Sequence, residues 1–218
     1  QSHPLPLVVK ADGLAAGKGV TVATTEEEAV KALRDCMVER VFGASGERVL
    51  VEECLVGREV SVFAFTDGET MSPMVAACDY KRVYDGDQGP NTGGMGSYSP
   101  PEFWTATLEQ EIRESIMEPT LRALTREGCP YQGVLYGGIM LTEDGPRVFE
   151  FNCRLGDPEA QVMLPRLSTD LLDILLAVVE KKLTQTTIDW KNEAWVGVAM
   201  ASGGYPGSYE TGFPISGL

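Results

Sequence analysis

Short apolar runs rich in β-branched residues, each bounded by glycine, proline or charge, recur along the chain and predict strands. Leu7-Val8-Val9-Lys10 and Val20-Thr21-Val22-Ala23 read as two strands joined by DGLAAGKG. RVLVEEC (48–54), EVSVFAFT (59–66), the run through MSPMVAACDYK, GVLYGGIMLT, PRVFEFNCR and the start of AWVGVAMAS (194–202) read the same way. The short turns Asp67-Gly68 and Glu143-Asp144-Gly145 predict antiparallel hairpins. Helical spacing occurs in three places. Ala29, Leu33 and Met37 follow a capping box of Thr25 and Glu28. A stripe of Leu108, Ile112, Ile116 and Leu124 is interrupted at Pro119 and closed by Gly128. Ser168 or Thr169 caps a third helix that runs to Leu183, with Lys181 and Lys182 suiting the dipole at its end. GDQGPNTGGMGSYSPP (86–101) is so rich in glycine and proline that it reads as loop.

Composition narrows what these elements serve. The 218 residues are 43% hydrophobic with 24 glycines, enough for one large domain or two small ones. No apolar run approaches the roughly 20 residues of a membrane span, and QSHPLPLVVK lacks a signal pattern, so a cytoplasmic protein without a membrane partner is expected. Five cysteines, never spaced as CxxC and mostly in apolar surroundings, read as reduced core residues. A net charge of −14 argues against nucleic acid, while a locally positive cleft can still focus a small anion. The single histidine, His3, lies in a proline-flanked terminal stretch, which removes Ser-His, Cys-His and His-zinc schemes. Both ends fall close to predicted strands, so the chain reads as an excerpt of something longer.

Four segments carry unusual polar residues. KADGLAAGKGV (10–20) has only three residues between Gly13 and Gly17 and joins two strands, so it is not a Walker loop. It is either a hairpin that folds its N–H groups and lysines over phosphates or a plain surface turn. In VFEFNCR a period of two puts Glu150, Asn152 and Arg154 on one face and Phe149, Phe151 and Cys153 on a core face. Glu150 and Asn152 offer hard oxygens of the kind Mg²⁺ takes, and the carboxylates of GDPE (156–159) favour that reading over a solvated face. EECLVGRE (52–59) reads, alone, as an acidic connection. DYKR (79–82) and GPNTGGMG (89–96) set cations before closely spaced glycines, which suits backbone approach to a ligand or simple flexibility.

Taken in order, KADGLAAGKGV, EECLVGREVS, DYKR, GPNTGGMG, YGGIML and FEFNCRLGDPE resemble the glycinamide ribonucleotide synthetase (phosphoribosylamine–glycine ligase) family of ATP-grasp enzymes, from about Pro6 to the C-terminus. GPNTGGMG with EFNCRxGDPE is the specific part; the hairpin and hinge are shared by ATP-grasp ligases generally. Leu155 stands where many relatives carry an aromatic.

The resemblance implies an α+β ATP-grasp fold: a lid subdomain and hinge at 1–58, a catalytic subdomain of antiparallel sheet at 59–187, and the start of a C-terminal domain at 188–218. It implies ATP held by Lys10, Gly13, Gly17, Lys18, Gly19, Glu52, Glu53, Cys54, Leu55, Glu59, Arg82 and Asn91. Glu150 and Asn152 are the implied ligands of Mg²⁺ or Mn²⁺, and Lys81, Arg82 and Arg154 the implied catalytic cations. Asp79, Lys81, Gly93, Gly94, Asp157 and Glu159 are implied on the substrate side, where a carboxylate suits the ammonium of glycine. The implied reaction joins glycine to 5-phosphoribosylamine through glycyl phosphate, with further domains of the same polypeptide as partners. Two alternatives stay open: another ATP-grasp carboxylate–amine ligase, and a nucleotide-binding fragment without turnover. The segment from Lys10 to Val20 is expected to have few fixed contacts and to close over nucleotide.

Overall fold

The computed structural model describes residues 4–15, 18–86 and 88–217. By contacts the chain divides into two units, Gln1–Val56 and Gly57–Leu218.

Alternation sets the layers of the first unit. Strands β1 (Leu7–Ala11), β2 (Val20–Ala23) and β3 (Val49–Glu53) form an antiparallel sheet in the order β2-β1-β3. Leu7, Val9 and Ala23 point to one face and are buried with Ala29 and Ala32 of helix α1 (Glu26–Met37). Val8, Lys10, Val20, Val22, Leu50 and Glu52 fall on the opposite face by register. The capping box forms as expected: Thr25 Oγ1 accepts from Glu28 N, and Glu28 Oε2 accepts from Thr25 N. The buried stripe runs through Ala29, Ala32 and Cys36, while Met37 is exposed at the helix end. A 3-10 turn, Gly43–Gly46, follows.

The second unit is built on β4 (Arg58–Thr66), β5 (Val75–Asp79), β8 (Gly96–Ser99), β9 (Gly133–Thr142), β10 (Gly145–Asn152) and β11 (Trp195–Val198), with β6 (Arg82–Tyr84) and β7 (Gln88–Asn91) as a separate ribbon. The sheet order is β10-β9-β4-β5-β8-β11, and every neighbouring pair is antiparallel. Val60, Val62, Ala76, Leu135 and Ile139 pack one face against Ile112, Ile116 and Met117. Phe63, Val75, Ala77 and Tyr136 pack the other against Val162 and Met163 of α4 (Ala160–Met163). Phe65 continues that layer to Ile174 and Val178 of α5 (Leu171–Val179). EVSVFAFT is thus buried at every position after Glu59 because both its faces are covered.

Several expectations are corrected. The stretch 86–101 is not all loop: it carries β7 and β8, and β8 lies inside the sheet between β5 and β11. Glycine and proline composition hid a strand whose Gly96, at φ 153°, leaves no room for a Cβ beside the carbonyl of Gly197. The interruption at Pro119 is a π-type wide turn, Arg113–Met117, between α2 (Ala106–Ile112) and α3 (Glu118–Arg126), which accommodates the missing N–H. Asp170 caps α5 by accepting from Leu172 N, because Thr169 Oγ1 is engaged by Thr187 and Asp189; the helix ends at Val179, well before Leu183. Within 188–217, Trp195–Val198 forms edge strand β11 on β8.

The largest correction concerns β10. Val148 pairs with Ile139 but Glu150 with Gly138, so Phe149 is the extra residue of a bulge. A Cβ on Gly138 would strike both the Phe149 ring and Glu150 Cγ, so these two side chains lie together instead of on opposite faces. Phe151 is 39% exposed, since β10 is an edge strand. Cys153 and Cys129 are also exposed; only Cys36 and Cys78 of the five free thiols are buried. No helix among the described residues is long and apolar enough to cross a membrane.

The structure separates two residues that the sequence reads as core, Ile112 on a helical stripe and Phe151 on β10. Ile112→Ala, at a site with 0% exposure, should cost about 2–5 kcal/mol in urea unfolding. Phe151→Ala should cost about 1 kcal/mol or less. Equal losses would contradict the layer assignment.

Candidate functional site

The polar end of one sheet face gathers charge. Ser61 pairs in register with Ala77, and carrying that register on by one pleat sets Glu59 level with Asp79. Lys81 Nζ lies 3.2 Å from Glu59 Oε2 and 4.0 Å from Asp79 Oδ2. Burial raises the Asp79 carboxyl; Lys81 pulls it back, Glu159 and Glu59 push it further, and it comes to about 6. Burial opposes the charge on Lys81, yet Asp79 and Glu59 outweigh it, with Glu150 adding to them, and hold the ammonium above its ordinary value. Phe149, brought over by the bulge, lies beneath Lys81 with Nζ 5.7 Å from its ring centroid.

Glu150 and Asn152 close this face at the edge strand. Asn152 Nδ2 donates to Glu150 Oε1 at 3.1 Å, which leaves the amide oxygen and the second carboxylate oxygen as candidate metal ligands. One carboxylate and one amide fit a hard divalent cation that draws its other ligands from phosphates and water. No three His, Cys, Asp or Glu side chains among the described residues form a cage, so the pair is too small for a site made of protein alone.

The loop 89–96 and the GDPE turn meet. Gly94, at φ 119°, approaches Pro158 so closely that a Cβ would lie 2.4 Å from its ring. Gly94 N donates to Thr92 Oγ1, and Gly93 N to the Tyr205 hydroxyl. Arg82 donates to the Gly89 carbonyl, and Asn91 pairs with Arg82 in the ribbon. Asp157 is exposed and accepts from Gln161; Arg154, also exposed, donates to the Leu155 carbonyl. Glu159 differs from both. It is 2% exposed, and its Oε1 accepts from Ser61 Oγ and the Tyr136 hydroxyl, each at 2.9 Å. Burial, reinforced by the Glu159 charge, raises the Tyr136 phenol, which therefore keeps the proton it donates. Glu159 thus pins the turn from beneath.

In the first unit Lys10 Nζ forms an ion pair with Glu52 Oε2 at 2.5 Å, on the open face beside exposed Val20, Val22 and Leu50. Glu53 ends β3, and Cys54 and Leu55 follow it half-buried. Gly13 N donates to Ser45 O, Lys18 N to Ala15 O, and Gly19 O accepts from Ala11 N. Gly17 lies outside the described residues, as does His3.

Four participants escaped the sequence. Ser61 and Tyr136 occupy buried strand positions, and only the alternation of Glu59 and Ser61 with Val60 and Val62 hinted at a polar face. Phe149 required knowledge of the bulge. Ser97, in register with Asp79, carries a buried hydroxyl with no hydrogen-bond partner among the described residues, and nothing in GMGSYS marked it.

Comparison with known proteins accounts for this arrangement. The family profile "Phosphoribosylglycinamide synthetase, ATP-grasp (A) domain" matches residues 1–160. A phosphoribosylamine–glycine ligase of Halalkalibacterium halodurans is 52% identical over 219 residues, covering 100% of this chain and 50% of that protein. The chicken trifunctional purine biosynthetic protein adenosine-3 is 56% identical over 213 residues, 97% of this chain and 21% of that one. The crystal structure of a Thermotoga maritima phosphoribosylamine–glycine ligase superposes with a TM-score of 0.86 at 34% identity, over 98% of this chain and 55% of that one. The chain therefore spans about half the length of the single-function relatives it matches. A biotin carboxylase domain from Hydrogenobacter thermophilus, 15% identical with a TM-score of 0.61, shares the fold alone. With its glycine-rich hairpin, its α+β architecture and its GPNTGGMG and GDPE segments packed together, the chain belongs to the phosphoribosylglycinamide synthetase family and carries that family's ATP-grasp domain.

Proposed function

We propose that the chain is the ATP-grasp portion of a ligase that joins glycine to 5-phosphoribosylamine in purine biosynthesis, converting ATP to ADP and phosphate through glycyl phosphate. The observation that supports this reading most is the crowding of Glu59, Asp79, Lys81 and Glu150 at one end of a sheet face, next to the Gly94–Pro158 contact. A glycine carboxylate oxygen attacks the γ-phosphorus and ADP leaves; the amine of phosphoribosylamine then attacks the carbonyl carbon and phosphate leaves. Two anions must meet in the first step, so cations have to offset charge spread over the transferring oxygens. Lys81 is the cation best placed for this, because the carboxylates that hold it keep it charged. Arg82 and Arg154 add to it from the ribbon and the GDPE turn. Glu150 and Asn152 would hold Mg²⁺ or Mn²⁺, which supplies further neutralisation of the phosphates.

Asp79 and Asp157 have the charge to receive the glycine ammonium, and Asp79 sits on the floor of the face at 10% side-chain exposure. Glu59 has one oxygen on Lys81 and the other available for ribose hydroxyls. In the first unit, Lys10 and Lys18 have the charge to meet phosphates. Its exposed Val22 and Leu50, with Glu52, Glu53, Cys54 and Leu55, suit a purine base. Asn91, Gly93 and Gly94 bring backbone and amide groups to the substrate side.

The reading is tested by ADP release from this chain, and from a polypeptide extended at both ends, with glycine, other carboxylates and phosphoribosylamine offered separately and together. Glycine-dependent release, with amide product only from the extended protein, is expected. Glu150→Gln should abolish release while shifting stability by less than about 0.5 kcal/mol, since the side chain is exposed. Release that follows another carboxylate, or a fully active Glu150→Gln enzyme, contradicts the assignment.

Asp79 gives a pH signature. Its folded value of about 6 lies above the ordinary 3.8, so the fold favours the neutral carboxyl. That contribution is complete below pH 3.8 and is lost as pH rises through 6. Asp79→Asn should therefore raise the melting temperature more at about pH 7.5 than at about pH 4. Glycine affinity of the wild type should fall as pH drops through about 6, because only the carboxylate attracts an ammonium. A pH-independent glycine affinity would remove Asp79 from the ammonium site.

A further inference from the structure

The glycine-rich hairpin is not free along its whole length, contrary to the expectation of few fixed contacts. Ser45 Oγ donates to the Leu14 carbonyl at 2.8 Å, across 31 residues of sequence. Gly13 N donates to Ser45 O at 3.0 Å, and Asp12 N to Arg48 O at 3.0 Å. The φ of Gly13 is not in the left-handed range, but a Cβ there would lie 2.6 Å from Ser45 Cα. Glycine is thus required at 13 by close approach, not by a left-handed conformation. The 3-10 turn that carries Ser45 is seated in the same way, because a Cβ on Gly46 would lie 2.7 Å from the Cys36 carbonyl near the end of α1. The Asp12–Arg48 ion pair at 2.5 Å adds little, since Arg48 is 85% exposed.

We propose that Ser45 is a positioning residue, which staples the first arm of the hairpin, Asp12–Leu14, to the turn Gly43–Gly46 and through it to α1. The arm bearing Gly13 is then set before any ligand arrives, its Asp12 and Gly13 N–H groups held on Arg48 O and Ser45 O, so less of the hairpin has to be ordered when phosphates bind. The consequence for nucleotide rests on the reading above, whereas the staple itself is a property of the ligand-free first unit. No step of the chemistry passes through Ser45.

Hydrogen exchange on the ligand-free chain tests the staple. Ser45→Ala should speed exchange at Asp12 and Gly13 about tenfold, the effect of one lost hydrogen bond, and leave the amides of α1 unchanged. Ser45→Thr, which keeps the hydroxyl, should restore the wild-type rate, and Arg48→Ala should change it little. In the extended ligase Ser45→Ala should raise KM for Mg-ATP severalfold with kcat nearly unchanged, and Ser45→Thr should reverse this. Gly13 exchange in Ser45→Ala equal to wild type overturns the proposal. Faster exchange with an unchanged KM overturns its functional half. A wild-type chain that binds no Mg-ATP overturns the nucleotide reading, and the staple is then judged by exchange alone.

Discussion

A lysine ammonium held by carboxylates at the open end of a sealed sheet face is the arrangement on which the rest of the site depends. Lys81 lies between Glu59 and Asp79, and its charge persists because their attraction exceeds the penalty of burial. The same lysine keeps Asp79 from rising further than it does. Each group therefore sets the state of the other. The apolar layer behind them, Phe63, Val75, Tyr136 and Val162, excludes water from one side only, so the charges face a half-space of low polarizability and act more strongly than they would on an open surface.

Beneath that cluster a buried carboxylate ties two strands to the GDPE turn. Glu159 is sealed, and its two hydroxyl partners come from different strands, Ser61 of β4 and Tyr136 of β9. The turn it anchors presents Asp157 to solvent and Pro158 to Gly94, so one buried carboxylate fixes two segments that are far apart in sequence. The first unit follows the same principle with backbone contacts, as the passage of a glycine against Ser45 fixes the hairpin arm.

Much of this was legible in the sequence where local rules act alone. The Thr25–Glu28 box, the β1–β2 hairpin, the turn at Glu143-Asp144 and the closure of α3 by Gly128 follow from spacing and turn chemistry. The six motifs and their order pointed to the family, and Glu59, Asp79, Lys81 and Glu150, drawn from three of them, lie close together. What stayed hidden depends on pairing between distant segments. β8 is a strand because β5 and β11 flank it, whatever its glycines prefer locally. The bulge at Phe149 follows from the register against Gly138, which no period-two count contains. Asp170 replaces Thr169 as a cap because Thr169 is taken by residues 18 and 20 positions away.

We propose that phosphoryl-transfer chemistry is assembled at the polar end of this sheet face, with Glu150 and Asn152 as the metal pair. A crystal structure of the chain with Mg²⁺ and a non-hydrolysable ATP analogue tests it directly. The metal is expected on a Glu150 carboxylate oxygen and the Asn152 amide oxygen, with the Asn152–Glu150 hydrogen bond of 3.1 Å broken and the analogue's phosphates within reach of Lys81 or Arg82. A metal and phosphates bound elsewhere, with that hydrogen bond intact, would contradict it.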